Sequence, residues 1–377
     1  MEATVVTAAT GTPTGTGTAT AAATARTARR TTATATATAA ATWDAGDLET
    51  AIVDGGGCAA RMLSAAEWAA HPQGAAVASE PLIWSDLAAA PAAPTTAPTV
   101  PSAPAAAPAD TLAAGRPLVG VRVLDCTRVI AGPACTRFLA GFGAEVLRID
   151  PPWWEEPGCT QDQTVGKRCA GLDFRRNEDR AIFEGLLAQA DIFVHGYRSD
   201  ALERLGFGFE RRRVLSPSLI DVGINAYGWT GPWSERRGFD SLVQMSSGIA
   251  HEGMAWAGAT KPVPLPVQAL DHATGYLAAA AAVRGLAERR ATGRVLRARL
   301  SLARTANLLL EHQASAAVEV REQPALGPGP GESDFAAEVE ATGWGPARRL
   351  RPPIFLGGCP MRWDLPAGPL RSAPAAF

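Results

Sequence analysis

Four β-rich runs alternate with helical stretches between residues 120 and 228, and this alternation limits the fold more than any other feature of the chain. "GVRVLDCT" (120–127) reads as a strand. "PACTRFLAGFG" (133–143) reads as a helix with Pro133 in its first turn and glycine at its end. "AEVLRID" (144–150) is a second strand. "NEDRAIFEGLLAQA" (177–190) is an amphipathic helix with Ile182, Phe183, Leu186 and Leu187 on one face. "DIFVHGY" (191–197) and "SLIDVGINAYG" (218–228) are the third and fourth strands. Strand–helix–strand order predicts a parallel sheet covered by helices, an α/β domain.

The flanks are different. Residues 1–42 are almost entirely Ala and Thr, with too few large apolar groups to offset chain entropy, so they predict a disordered, low-complexity tract. Its few Arg and single acid also fit a transit peptide, and there is no secretory apolar core. Residues 43–87 carry three Trp and read as folded. Residues 88–115 are a Pro/Ala linker. The main domain spans 116–316, followed by a C-terminal segment, 317–377.

Charge and cysteine usage exclude several classes. Lys plus Arg is 35 and Asp plus Glu 37, a net charge of −2, which predicts neither a nucleic-acid surface nor a polybasic membrane surface. No apolar run is long enough to span a membrane. The six cysteines (58, 126, 135, 159, 169, 359) include no C-x-x-C pair, and the five histidines are scattered. This predicts no zinc site and no disulfide framework, and fits a reducing cytoplasm.

In an open α/β sheet ligands bind beyond the carboxyl ends of the strands. The first such turn, "TRVIAGPACTR" (127–137), lacks the G-x-G-x-x-G fingerprint, which disfavours a dinucleotide site and a nicotinamide dehydrogenase. Its helix start can still offer N–H groups to an anion or a carbonyl oxygen, and an ordinary tight turn fits equally. Lys167 and Arg168 in "GKRCAGLDF", and Arg198 and Arg204 in "GYRSDALERLGF", are expected in loops after strands, either as solvated surface or as cations for a polyphosphate. Asp240 heads the helix "DSLVQMSSGIA". Asp271, in "LPVQALDHATG", stands where an extended run gives way to an alanine-rich helix. There it reads as an N-cap kept ionised by the helix dipole.

Seven blocks, in order over about 116–302, resemble the class III CoA-transferases, the CaiB/BaiF type with formyl-CoA transferase and α-methylacyl-CoA racemase as relatives. They are "PLVGVRVLDCTRVIAGPACTRFLAGFGAEVLRIDPP", "GKRCAGLDF", "ADIFVHGYRSDALERLGFG", "SPSLIDVGINAYGWTGPW", "RRGFDSLVQMSSGIA", "LPVQALDHATGYLAAAAAVRGL" and "RATGR". The resemblance implies a Rossmann-like parallel sheet in the large domain with a reduced small domain. It also implies a homodimer, coenzyme A as the carrier in an acyl-CoA substrate, a carboxylic acid acceptor and no metal.

It places the covalent nucleophile at Asp271. The carboxylate would attack a thioester to give a mixed anhydride and CoA thiolate, then an aspartyl-CoA thioester that is passed to the acceptor acid. Oxyanion contacts fall at Ile130 and Ala131. CoA contacts fall at Arg204 and, more loosely, at Val129, Lys167, Arg168 and Arg198. Asp240, Phe239 and His272 fall at the substrate pocket. Phe239 replaces the histidine of the racemases and cannot move a proton, which weakens an acyl-CoA racemase or isomerase reading.

Two stretches depart from the family pattern. "LGPGPGES" (326–333) is the only counterpart of a glycine-rich lid, and residues 55–84 resemble a piece that normally lies after the small domain. A rearranged or truncated, non-catalytic or partner-dependent acyl-CoA-binding homologue therefore stands as an alternative.

Overall fold

The computed structural model describes Ala40 and residues 42–89, 115–156, 158–312 and 330–377. The tract 1–39, most of the linker and residues 326–329 of the glycine-rich stretch 326–333 lie outside the described residues.

Seven strands form one sheet: β1 (Trp84–Ala89), β2 (Arg122–Cys126), β3 (Glu145–Asp150), β4 (Lys167–Gly171), β5 (Ile192–His195), β6 (Ile220–Asn225) and β7 (Arg294–Ser301). Their spatial order is β1-β7-β6-β5-β2-β3-β4. All neighbours are parallel except β1, which pairs antiparallel with β7. The α/β, Rossmann-like expectation is borne out. The order reverses between β2 and β5, so the crevice beyond their carboxyl ends is the switch point where such sheets place ligands.

Both faces of the sheet are buried. Val123, Val146, Ile192 and Ile220 point into one core, while Leu124, Leu147, Ile149 and Phe193 point into the other. Strands covered on both faces favour apolar residues at successive positions, which β2, β3 and β5 supply, while β6 alternates Ile220, Val222 and Ile224 with buried Asp221 and Gly223.

Three short helices, α1 (Ala45–Asp54), α2 (Ala65–Ala70) and α3 (Pro72–Ser79), precede β1. Their segment is stitched to the main domain. The Gln73 amide donates to Tyr227 O (2.7 Å) and Thr230 O (2.8 Å) and accepts from Trp233 N (2.6 Å). The Trp68 indole donates to Asn307 Oδ1 at 3.1 Å. β1 runs on to Ala89, past the point where the sequence places the linker.

After β2 come α4 (Ala131–Gly141), the single turn α5 (Thr160–Gln163) and α6 (Asn177–Gln189). α4 starts two residues before Pro133, the expected first position. On α6, Phe183, Leu186 and Leu187 are buried, but Ile182 is 44% exposed, so the apolar stripe is narrower than the sequence suggests. Helices α7 (Ala201–Arg204) and α8 (Phe209–Leu215) lead into β6, and α9 (Asp240–Ser246), α10 (Ile249–Trp256) and α11 (Ala269–Thr292) lead into β7.

α11 is 24 residues long and ends at Gly293, whose φ of 69° is the left-handed cap that glycine accepts without strain. Its buried face is built from small residues: Gly275, Ala278, Ala279, Ala282 and Gly285. At Gly275 a Cβ would fall 2.5 Å from Ala131 O and 2.9 Å from Ala134 Cβ, so α4 and α11 meet backbone to backbone.

α12 (Leu302–His312) follows β7, and a hairpin of β8 (Phe335–Thr342) and β9 (Gly345–Leu350) follows in turn. The tail then packs on α4 and β4. The Trp363 indole donates to Arg137 O (2.7 Å), and Arg116 pairs with Asp364 (2.6 Å). No helix of the described residues is long and apolar enough to cross a membrane.

Candidate active site

Asp271 is the third residue of α11, in its first turn and not at its cap. The cap residue, Gln268, makes no side-chain capping bond. Asp240 supplies it from a distance: its Oδ2 accepts from Asp271 N at 2.9 Å, and Leu270 N also donates to this carboxylate. Gln244 donates to Asp240 and accepts from Leu265 N (2.7 Å), which fixes the α9 carboxylate against α11. The first N–H groups of a helix need partners, and here a neighbouring helix provides one.

Asp271 is 6% and Asp240 1% exposed. The sequence expectation is a carboxylate kept ionised by the helix dipole, and the surroundings of Asp271 push the other way. Burial and then the charge of Asp240 raise its pKa to about 8. Burial raises that of Asp240 as well, against the hydrogen bonds it accepts. In this setting desolvation and a like charge outweigh the helix dipole.

Asp271 and Gly275 are one turn apart on the same helix face, so Asp271 stands one turn before the point where α11 touches Ala131 and Ala134 of α4. In that turn Val129 has φ 65°, a strained conformation for a β-branched residue, and its N–H donates to Glu156 Oε1 at 2.7 Å. Glu156 is held in turn by Arg148 (2.8 Å) and the Trp154 indole (2.9 Å). Ile130 caps α4 without a side-chain bond, and no protein acceptor takes the Ile130 and Ala131 N–H groups among the described residues. Thus Asp271 and Asp240 are joined directly, and the turn of Val129, Ile130 and Ala131 leads into the helix that the same face of α11 packs against. His272 follows Asp271 half-buried, and Phe239 packs instead against Ala60, Leu242 and Met245.

The cations divide. Arg198 and Arg204 line a cavity of about 470 Å³ by the carboxyl end of β5. Arg204 pairs there with Asp200 and lies 3.8 Å from Glu235. Lys167 and Arg168 do not sit in a loop after a strand but open β4. The Lys167 side chain is fully buried, with Nζ 3.0 Å from both Asp125 Oδ2 and Pro133 O. Burial pushes the Asp125 pKa up, but Lys167 and Arg148 outweigh it and the carboxyl stays below its ordinary value. This ammonium braces the interior and presents no face to a ligand. Arg168 pairs with Glu145 at the amino end of the sheet, away from the switch point.

Sequence reasoning missed Arg128. Its guanidinium stacks 4.9 Å from the Trp154 ring and 5.1 Å from the Tyr197 ring and lies 3.7 Å from Asp150, spanning the switch-point loops. Its position just after β2 was the available signal. No three His, Cys, Asp or Glu side chains gather as a metal site among the described residues.

Residues 118–341 match the family model described as CoA-transferase family III. Succinyl-CoA:glutarate CoA-transferase of Mus musculus is 34% identical over 194 residues, covering 48% of this chain and 44% of the relative. The beta subunit of succinyl-CoA–L-malate CoA-transferase of Chloroflexus aurantiacus is 30% identical over 194 residues, covering 47% of each. A solved CaiB/BaiF family protein from Brucella suis aligns at 24% identity and a TM-score of 0.47, over 61% of this chain and 65% of that one. The chain therefore spans a little under half the length of these curated relatives. With more than half of its own residues inside the family match, the chain belongs to CoA-transferase family III.

Proposed function

We propose that the chain transfers CoA between an acyl-CoA and a carboxylic acid, with Asp271 as the nucleophile. The observation that supports this reading is a buried carboxylate one turn from the contact of α11 with the start of α4, where the Ile130 and Ala131 N–H groups have no protein acceptor among the described residues. A carboxylate oxygen of Asp271 attacks the thioester carbon. The oxyanion faces the N–H groups at the start of α4, and CoA thiolate leaves to give a mixed anhydride. The thiolate then attacks the aspartyl carbonyl, the first acid departs, and the acceptor carboxylate reverses the sequence. Each step exchanges one acyl bond for another, so no external energy source is required.

Asp240 positions the first turn of α11 and, through its charge, keeps the free Asp271 partly protonated near neutral pH. The alanine-rich walls of α11 exclude water from the anhydride. The nucleotide of CoA is assigned to the rim formed by Arg198 and Arg204, with the pantetheine arm crossing the carboxyl edge of the sheet to Asp271. The names of the relatives make succinyl-CoA the first donor to try, with dicarboxylates as acceptors. A homodimer follows from the family resemblance and is checked by sedimentation.

The test is a covalent trap. Incubation with succinyl-CoA and other acyl-CoAs, a hydroxylamine or borohydride quench and peptide mass spectrometry should label Asp271 in the intact chain and leave Asp271→Ala unlabelled. CoA binding without any label would leave an acyl-CoA-binding protein in place of a transferase.

A further inference from the structure

On the sheet face opposite α11, strand register gathers an unusual set of side chains. Ile220 and Leu296 point toward α11, since a Cβ at Gly285 would lie 2.8 Å from Ile220 Cγ2 and 3.2 Å from Leu296 Cβ. By strand alternation Asp221, Gly223, Arg297 and Arg299 point the other way. Register aligns His195 with Gly223, Gly223 with Arg299, and Arg299 with Trp84. The adjacent row is Phe193, Asp221, Arg297 and Asp86. Gly223 lets Trp229 and His195 close over its row: a Cβ there would come within 2.8 Å of the Trp229 ring and 3.0 Å of His195 Cε1. Above this floor lies the cavity of about 470 Å³ that has Arg198 and Arg204 at its rim.

The pocket is lined by five arginines (198, 204, 212, 297 and 299) and four carboxylates (Asp200, Glu203, Asp221 and Glu235), and their pairing is uneven. Asp221 is taken by Arg212 (2.7 Å) and faces His195 Nε2 at 3.4 Å, and Asp200 is taken by Arg204. Arg198, Arg297 and Arg299 have no carboxylate within ion-pair distance among the described residues. Arg297 lies 3.6 Å from the Phe209 ring centroid, and Arg299 lies 4.9 Å from those of both Trp84 and Trp229. Aromatic faces hold a guanidinium in place while its N–H fork stays available. Arg299 Nε and the buried His195 Nδ1 have no hydrogen-bond partner. Burial and the neighbouring Arg299 lower the pKa of Arg297 to about 10, against the smaller opposing pull of Asp221 and Glu210.

We propose that this pocket is an anion site for a phosphomonoester dianion, held by Arg297, Arg299 and Arg198. A dianion balances two unpaired guanidiniums, and tetrahedral oxygens can meet forks arriving from different strands, whereas a single carboxylate satisfies one fork. The phosphate has two sources: the terminal phosphomonoester of the CoA nucleotide, which rests on the transferase reading, or free phosphate, which does not.

Calorimetric titration of the full chain separates these sources, using CoA, dephospho-CoA and inorganic phosphate on the wild type and on Arg297→Gln/Arg299→Gln. If the source is CoA, it binds about tenfold or more tighter than dephospho-CoA, and the double variant loses that ratio. If the source is free phosphate, inorganic phosphate binds the wild type but not the variant, and the CoA ratio stays near one. The proposal is overturned if phosphate does not bind and CoA and dephospho-CoA bind alike, or if the double variant keeps the wild-type preference. Should the variant fail to fold by circular dichroism, phenylglyoxal mapping of the wild type decides: phosphate or CoA must protect Arg297 and Arg299, and unprotected arginines refute the site. Repeating the titrations with Asp271→Ala, which leaves this face intact, separates failure of the pocket from failure of acyl transfer.

Discussion

Asp240 accepts a hydrogen bond from the backbone N–H of Asp271 at 2.9 Å, so one buried aspartate caps the helix that presents the other. The same contact that fixes the position of Asp271 also places a like charge beside it. Position and proton affinity are therefore set by one residue.

The first prediction concerns pH. Attack requires the ionised carboxylate, and the pKa of Asp271 is raised to about 8 by burial and Asp240. kcat/KM for an acyl-CoA should rise from pH 6 to 9 with its inflection near 8. Asp240→Asn keeps an acceptor for the α11 N–H groups and removes the charge, so the inflection should move to lower pH. A flat profile, or an unmoved inflection in Asp240→Asn, would falsify the assignment.

The same shift has a stability consequence. A carboxyl whose folded pKa lies above its unfolded value binds more protons in the folded state, so its contribution is present below the unfolded value of 3.8 and is lost as pH rises through about 8. Asp271→Asn should therefore stabilise the fold at pH 8 by about 1–3 kcal/mol while abolishing acyl transfer. Urea unfolding at pH 5 and pH 8 checks this, and the gain should shrink at the lower pH.

The sequence exposed this site unevenly. β2, β3 and β5 are legible because apolar residues stand at successive positions, and β6 because Ile220, Val222 and Ile224 alternate on one face. β4 opens with Lys167 and Arg168, and β7 reads "RVLRARLS" with arginines on one face, so neither shows the apolar signal. Asp271 is visible because an extended run meets an alanine-rich helix there. The capping by Asp240 is not, because the partner lies 31 residues away and only the packing of α9 on α11 joins them. Lys167 is misplaced for the same reason, its carboxylate lying 42 residues away on another strand.

The interior assignment of Lys167 is tested by Lys167→Met. Removing the ammonium strands the Asp125 carboxylate, which is 0% exposed, and should cost about 3–5 kcal/mol. Adding Asp125→Asn should recover part of that loss in chemical denaturation. CoA affinity of whichever variant folds should stay within about twofold of the wild type, and a large loss would return Lys167 to the ligand.

The close approach at Gly275 gives a steric test. Gly275→Ala puts a methyl 2.5 Å from Ala131 O, a backbone atom that cannot swing aside, so α11 must lift from α4. Overpacking of this kind costs about 1–3 kcal/mol. The shift also moves Asp271, one turn earlier, away from the N–H groups of Ile130 and Ala131, so kcat should fall by about tenfold or more with a smaller change in KM. A stable variant with normal turnover would mean that the start of α4 is not where the oxyanion forms.

Gln73 tests whether the segment before β1 is part of the folded unit. Its side chain is 0% exposed and holds three backbone groups of the loop 227–233. Gln73→Ala leaves two carbonyls and one N–H without that partner, at about 1–3 kcal/mol for each group that water cannot reach. A segment that is integral to the fold should lose stability in a single cooperative transition, with protease cleavage near 80–90 appearing together with global unfolding. Cleavage there at conditions where the sheet remains intact would show instead that the segment docks on an independently stable core, because β1 is an edge strand and its departure exposes only the β7 edge.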